Sequence, residues 1–166
     1  MIYIGIDPGQ TGAIAFIDLE IDRVAIFDYE DPLALVNLIE DVYTLSTPAV
    51  MYLEKQHSRP QQGVKSTFET GQNFGEWQGI HKVLGILTGV SLHIITAQAW
   101  KKAMFAGAKR EYMIRKGEQV IDQKKMSINL VRNLYPRAAS KYVTRVRDHN
   151  RAEALLIAEY GRRIHV

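Results

Sequence analysis

The chain has 166 residues and no cysteine, so disulfides and thiolate metal sites are excluded, and any bound metal must take oxygen or imidazole ligands. That restriction points to a hard cation. No window approaches 18 uninterrupted apolar residues, and the first residues run directly into a strand-like segment without the basic and apolar regions of a signal peptide. A soluble, cytoplasmic protein is the expectation. Basic residues are almost missing from the first third: residues 1–54 hold Arg23 alone against Asp7, Asp18, Glu20, Asp22, Asp28, Glu30, Asp31, Glu40, Asp41 and Glu54. Internal repeats and low-complexity tracts are also missing. With 46% hydrophobic residues, this length fits one domain over residues 1–166.

What the first third lacks, the second half concentrates. Residues 101–147 carry thirteen lysines and arginines against Glu111, Glu118 and Asp122. Such a basic block attracts a polyanion through phosphate contacts and counterion release. The plain alternative is a solvated basic face with no partner.

Hydrophobic period predicts strands over residues 2–7, 12–19 and 23–28, an antiparallel meander broken by the Pro8-Gly9-Gln10-Thr11 turn. Pro32 suits the first turn of a helix whose apolar face runs to Leu45, and residues 49–54 form a continuous apolar run closed by a carboxylate. A helix is expected over residues 65–87 despite five glycines from Gly71 to Gly89, which suggests close approach by another backbone. A strand over 91–95 follows, then helices over 97–105, 118–134 and 150–163, the second stopped by Pro136. This order implies an α/β fold with a mixed five-stranded sheet flanked by helices. A right-handed crossover would place the fourth strand beside the first, making Asp7 and Glu54 neighbours.

Three acids sit in apolar company. Asp7 ends Ile2-Tyr3-Ile4-Gly5-Ile6, Glu54 ends Val50-Met51-Tyr52-Leu53, and Glu153 lies within Ala152 to Ala158. Buried carboxylates that meet must be protonated, paired with basic residues, or bound to a cation. Arg151, Lys55 and the basic block offer salt bridges, the structural alternative for each acid singly. Acids around divalent ions also serve phosphodiester hydrolysis, where two ions about 4 Å apart activate a water and stabilise the leaving oxygen. On a helix His149 and Asn150 share a face with Glu153, whereas Asp148 reaches it only from just before the helix start, where an N-cap role competes.

With these residues placed, Ile4-Gly5-Ile6-Asp7-Pro8-Gly9 with Thr11-Gly12 resembles the first-strand motif of the RuvC family of Holliday-junction resolvases. Tyr52-Leu53-Glu54-Lys55-Gln56 resembles its second acidic strand, and Arg151-Ala152-Glu153-Ala154-Leu155-Leu156-Ile157-Ala158 its final acidic helix, most like the compact phage-type members. The resemblance implies an RNase H-like fold, a homodimer, two magnesium or manganese ions per site, and paired nicks in four-way DNA, in a bacterial or phage-infected cell. It makes Asp7, Glu54 and Glu153 metal ligands. The family commonly has an Asp or His three residues before the final acid, where this chain has Asn150; Asp148 is the expected fourth ligand, with His149 next. The final acid is Glu rather than the commoner Asp.

The family pattern puts DNA contacts between the last strand and the final helix, at Lys101, Lys102, Lys109, Arg110, Lys124 and Lys125, with Lys124 or Lys125 nearest the scissile phosphate, and Lys65 is a further candidate. Phe68 and Phe74 are candidate wedges at an opened junction, core packing being the alternative for Phe74; Trp77 and Trp100 read as core. Actin-like ATPases and sugar kinases share part of the first motif, but they need two such domains to enclose a nucleotide. A less selective debranching or flap endonuclease, an RNA-processing relative, and a non-catalytic junction-binding module stay open as alternatives.

Overall fold

The computed structural model describes residues 1–9, 11–29, 36, 37, 40, 48–58 and 62–165. The meander is present as β1 (Ile2–Asp7), β2 (Ala13–Asp18) and β3 (Arg23–Asp28), antiparallel neighbours in sequence order. β4 (Ala49–Glu54) runs parallel to β1 on its other side. The long helix α1 (Val64–Thr88) leads to β5 (Ser91–Ile95), parallel to β4, which completes the order β3-β2-β1-β4-β5. The expected mixed sheet is therefore present. The crossover helix expected from Pro32 to Leu45 lies mostly outside the described residues, of which Val36, Asn37 and Glu40 are helical.

After β5 come α2 (Ala97–Met104), a two-stranded hairpin of β6 (Tyr112–Arg115) and β7 (Glu118–Ile121), α3 (Gln123–Leu134), α4 (Pro136–Tyr142), a 3-10 turn (Val146–Asp148) and α5 (His149–Ile164). The hairpin corrects the helix expected over residues 118–134. Lys116 and Gly117 both take positive φ, 53° and 82°, forming the two-residue turn that matches strand twist. The real helix start is Asp122, whose carboxylate accepts from Lys125 N at 3.0 Å. Pro136 also does more than stop a helix, since it occupies the first turn of α4.

Each sheet face has its own core because side chains alternate along a strand. Ile2, Ile4, Ile6, Met51 and Leu53 pack with Trp77 and Leu84 of α1. Tyr3, Val50 and Tyr52 face the other way, toward Leu155 and Leu156 of α5 and toward α2, α3 and α4. Each such side chain removed from water contributes about 1.5–3 kcal/mol before ordering costs. Gly5 sets how closely α5 approaches. A β-carbon there would lie 2.2 Å from the Ala154 carbonyl oxygen and 2.3 Å from the Ala158 nitrogen. Any side chain at Gly5 would push α5, and Glu153 with it, away from β1.

The glycines of α1 behave differently from expectation. Among the described residues nothing lies within 4 Å of where β-carbons would stand at Gly71, Gly75 and Gly79, whereas at Gly85 the Val90 carbonyl oxygen is 3.3 Å away, so the close backbone approach is present there alone of the four. Among the described residues no helix is long and apolar enough to cross a membrane.

Candidate active site

β1 and β4 are in register with Ile6 opposite Leu53, so Asp7 and Glu54 come next at the same sheet edge. α5 crosses over β1 and brings Glu153 to that edge. The electrostatic result is clearest at Asp7, whose carboxyl is held well above the ordinary carboxylate range by burial first, then by Glu153 and Glu54. Lys101 and Lys124 oppose that rise without cancelling it. The three acids foreseen from sequence therefore form one like-charged cluster.

Glu54 and Glu153 each have protein partners. The Trp100 indole N–H donates to Glu54 Oε2 at 2.6 Å, from a ring that is fully buried. Lys101 Nζ lies 3.2 Å from Glu153 Oε2, and Ser127 Oγ donates to Glu153 Oε1 at 3.3 Å. Sequence reasoning treated Trp100 as core and did not single out Ser127. The core reading holds, but the indole nitrogen also fixes a site acid; its position four residues into α2 carried no local signal for that. Lys101, expected on the DNA face, points its ammonium at Glu153.

The three candidates for a fourth ligand separate. Asp148 is buried, and its oxygens accept from Arg145 Nη2 at 2.9 Å, Arg145 N at 2.8 Å and Thr144 N at 3.1 Å. Burial raises its pKa, but the Arg145 side-chain and backbone hydrogen bonds outweigh that and hold the carboxyl below its usual range. With Arg145, Arg147, Thr11 and Asp28 it lines a cavity of about 430 Å³. Asn150 donates to Thr11 Oγ1 at 2.9 Å, pinning the start of α5 to the β1–β2 turn. Arg151 reinforces that anchor by donating to Asp28 Oδ1 at 2.6 Å. His149 feels the charge of Glu153, and burial and then Lys124 lower its pKa, which favours the neutral, ligand-competent ring.

Carboxylates and an imidazole are the donor set a hard divalent cation takes, and the Asp7 carboxyl, raised by burial first and by Glu153 and Glu54 second, is one such donor. Those residue types fit such an ion. Among the described residues, no three His, Asp or Glu side chains are drawn together closely enough to enclose one, since Glu54 and Glu153 turn toward Trp100 and Lys101.

Comparison with protein-family models and with curated proteins returns no match. Solved structures do match. RuvC of Thermus thermophilus in complex with a Holliday junction substrate superposes with TM-score 0.58 at 14% identity, over 99% of this chain and 96% of that one. The chain has a RuvC-like fold. A second structure of Thermus thermophilus RuvC gives TM-score 0.55 at 16% identity over 99% and 97%. The yeast mitochondrial Holliday junction resolvase Ydc2 gives 0.53 at 12% over 95% and 75%.

On this RuvC-like frame the basic candidates spread along α2, the loop after it and α3. Lys102, Lys109 and Arg110 are exposed. Lys124 and Lys125 divide: Lys124 acts on Asp7 and His149, while Lys125 forms an ion pair with Glu111 at 2.8 Å. Lys65 is exposed at the start of α1, 3.8 Å from Glu69. Phe68 is 65% exposed, whereas Phe74 packs against the α1-side core and Trp77 is fully buried within it.

Proposed function

We propose that this chain is a divalent-metal-dependent endonuclease that resolves four-way DNA junctions, acting as a homodimer that makes paired nicks. The observation that carries this reading is the Asp7 carboxyl, pushed up by burial and by Glu153 and Glu54 at one sheet edge. Likeness to RuvC and to Ydc2 supports the choice of a four-way junction as substrate.

Asp7, Glu54, Glu153 and His149 would hold the metal, magnesium or manganese, which when bound supplies Lewis-acid activation of water and of the phosphodiester. Trp100 orients Glu54. Lys101, 3.2 Å from Glu153, offsets the acids' repulsion, and would be free to meet phosphate where a cation took over that role. Lys124, whose charge acts on Asp7, would meet the scissile phosphate, and Lys102, Lys109 and Arg110 would meet flanking phosphates without reading sequence. For the homodimer, the supporting feature is α1, where exposed Phe68, Val83 and Ile86 adjoin the open glycines Gly71, Gly75 and Gly79.

A cleavage panel tests the reading: four-way junction, flap, fork, linear duplex and RNA, each with magnesium, manganese or chelator. Symmetric nicks in the four-way DNA that need the metal are expected. Equal cutting of flaps and forks would make this a debranching nuclease, and tight junction binding with no cutting under any metal would make it a binding module.

A further inference from the structure

The β6–β7 hairpin is the element the sequence did not reveal, and the acid cluster makes no use of it. It is firmly rooted. Asp122 N donates to the Glu111 carbonyl at 2.8 Å across its base, and the Glu111 side chain is held by Lys125 at 2.8 Å and Asn129 at 3.1 Å, both on α3. Lys124, whose charge acts on Asp7, lies three residues after β7 ends. The ribbon therefore starts beside the acidic edge. Strands of four residues then carry it about 13 Å outward at roughly 3.3 Å per residue.

Its surface is unusual for a projection into water. Tyr112 pairs with Ile121 across the ribbon, and Ile114 lies two residues along the same face. These side chains are 47%, 46% and 72% exposed. Two-stranded hairpins are marginal in water by themselves, and this one pairs with no third strand among the described residues, so an apolar face left open gains stability only from a partner. The partner's charge is indicated by Arg115 and Lys116 at the tip, with Lys109 and Arg110 at the base.

We propose that this hairpin contacts the branch point of DNA: Tyr112, Ile114 and Ile121 lie against unstacked bases, while Arg115 and Lys116 hold the adjoining phosphates. An apolar face rimmed by cations is complementary to nucleic acid only where bases leave the stack, because an intact duplex presents phosphates and hides base faces. The inference rests on the junction-resolving reading for its substrate, but not on the chemistry of cleavage.

The experiment uses the full chain in chelating buffer and a four-way DNA carrying 2-aminopurine beside the branch, with linear duplex of the same sequence as control. Wild-type protein should raise the 2-aminopurine fluorescence. Ile114→Ser, and Ile114→Ser with Tyr112→Ser, should lose most of that rise and weaken four-way binding about tenfold, at least fivefold more than linear binding. Ile114→Leu should restore both, and circular dichroism melts identify any variant that fails to fold; Ile114→Ser alone alters only an exposed tip. Undiminished fluorescence and affinity in the serine variants would overturn the proposal. Wild-type protein that ignores four-way DNA would overturn both readings; opening of the branch without cleavage in magnesium would keep the hairpin role and remove the nuclease.

Discussion

Helix α5 carries two buried glutamates six residues apart, and they are held by different partners. Glu159 accepts from Tyr135 Oη at 2.5 Å, from Arg162 Nε at 2.6 Å and from Arg163 Nε at 2.8 Å. Burial pushes its carboxyl up, but Arg162, Tyr135 and Arg163 outweigh that and bring it down to about 2. Glu153 has a lysine and a serine, and adds its charge to that of Glu54 against Asp7. Burial alone therefore does not distinguish the two acids. What separates the two is their surroundings: Glu159 is matched by two arginines of its own helix and by Tyr135, whereas Glu153, with Lys101 and Ser127, still acts on Asp7.

The hardest blow to that contrast comes from Asp7→Asn. Cleavage of four-way DNA should fall by about 10³-fold or more, the scale of losing several kcal/mol of metal stabilisation. Thermal stability of the metal-free protein should rise at the same time. The sign follows from the raised carboxyl: ionising Asp7 costs the fold, so metal-free wild type loses stability as pH climbs from the ordinary carboxylate range through the raised pKa, and the amide removes that loss. A stable metal-free wild type with no pH trend there, and no gain in the variant, would erase the distinction between the two glutamates.

Glu159→Gln is the mirror image. A lowered carboxyl contributes stability above its unfolded pKa and loses it as pH falls toward about 2, so wild type should weaken between about pH 4.5 and 2. Removing the charge should cost about 3 kcal/mol by chemical denaturation at neutral pH, while folded protein still cuts at the wild-type rate. Next in size are the neighbours His149 and Asp148. His149→Ala should reduce activity about 10–100-fold with little change in stability, and Asp148→Asn should destabilise by about 2 kcal/mol with most activity kept. Reversal of that pair would return the fourth ligand to Asp148. The smallest effect is expected for Trp100→Phe, about tenfold in kcat with KM for DNA unchanged, because only the hydrogen bond orienting Glu54 is lost.

Much of this layout was legible in the residues. Ile2 to Asp7 and Ala49 to Glu54 read as buried strands because they are apolar on both faces, and the crossover between them made Asp7 and Glu54 adjacent. The hairpin was not legible: Lys116-Gly117 is a weak turn signal beside Asn-Gly, and Glu118, Gln119, Lys124 and Lys125 are good helix formers, while the contacts that root it, Glu111 with Lys125 and Asn129, join residues 14 and 18 apart. Asp148 was expected to turn toward Glu153, yet Arg145, three residues back, claims it; such a short-range pairing competes locally and leaves no trace in hydrophobic period. Glu159 passed unnoticed because Arg162 and Arg163 sit at ordinary helical spacing. Trp100 and Glu54 are 46 residues apart, and only the fold joins them.

A divalent ion held at Asp7 is the proposal on which the nuclease reading stands. Its most direct test is the melting temperature of wild type, Asp7→Asn and Glu159→Gln with and without manganese at saturating concentration, in the absence of DNA. Wild type and Glu159→Gln should each gain about 5 °C or more, and Asp7→Asn should gain nothing. An equal gain in all three proteins, or none in wild type, would contradict the account.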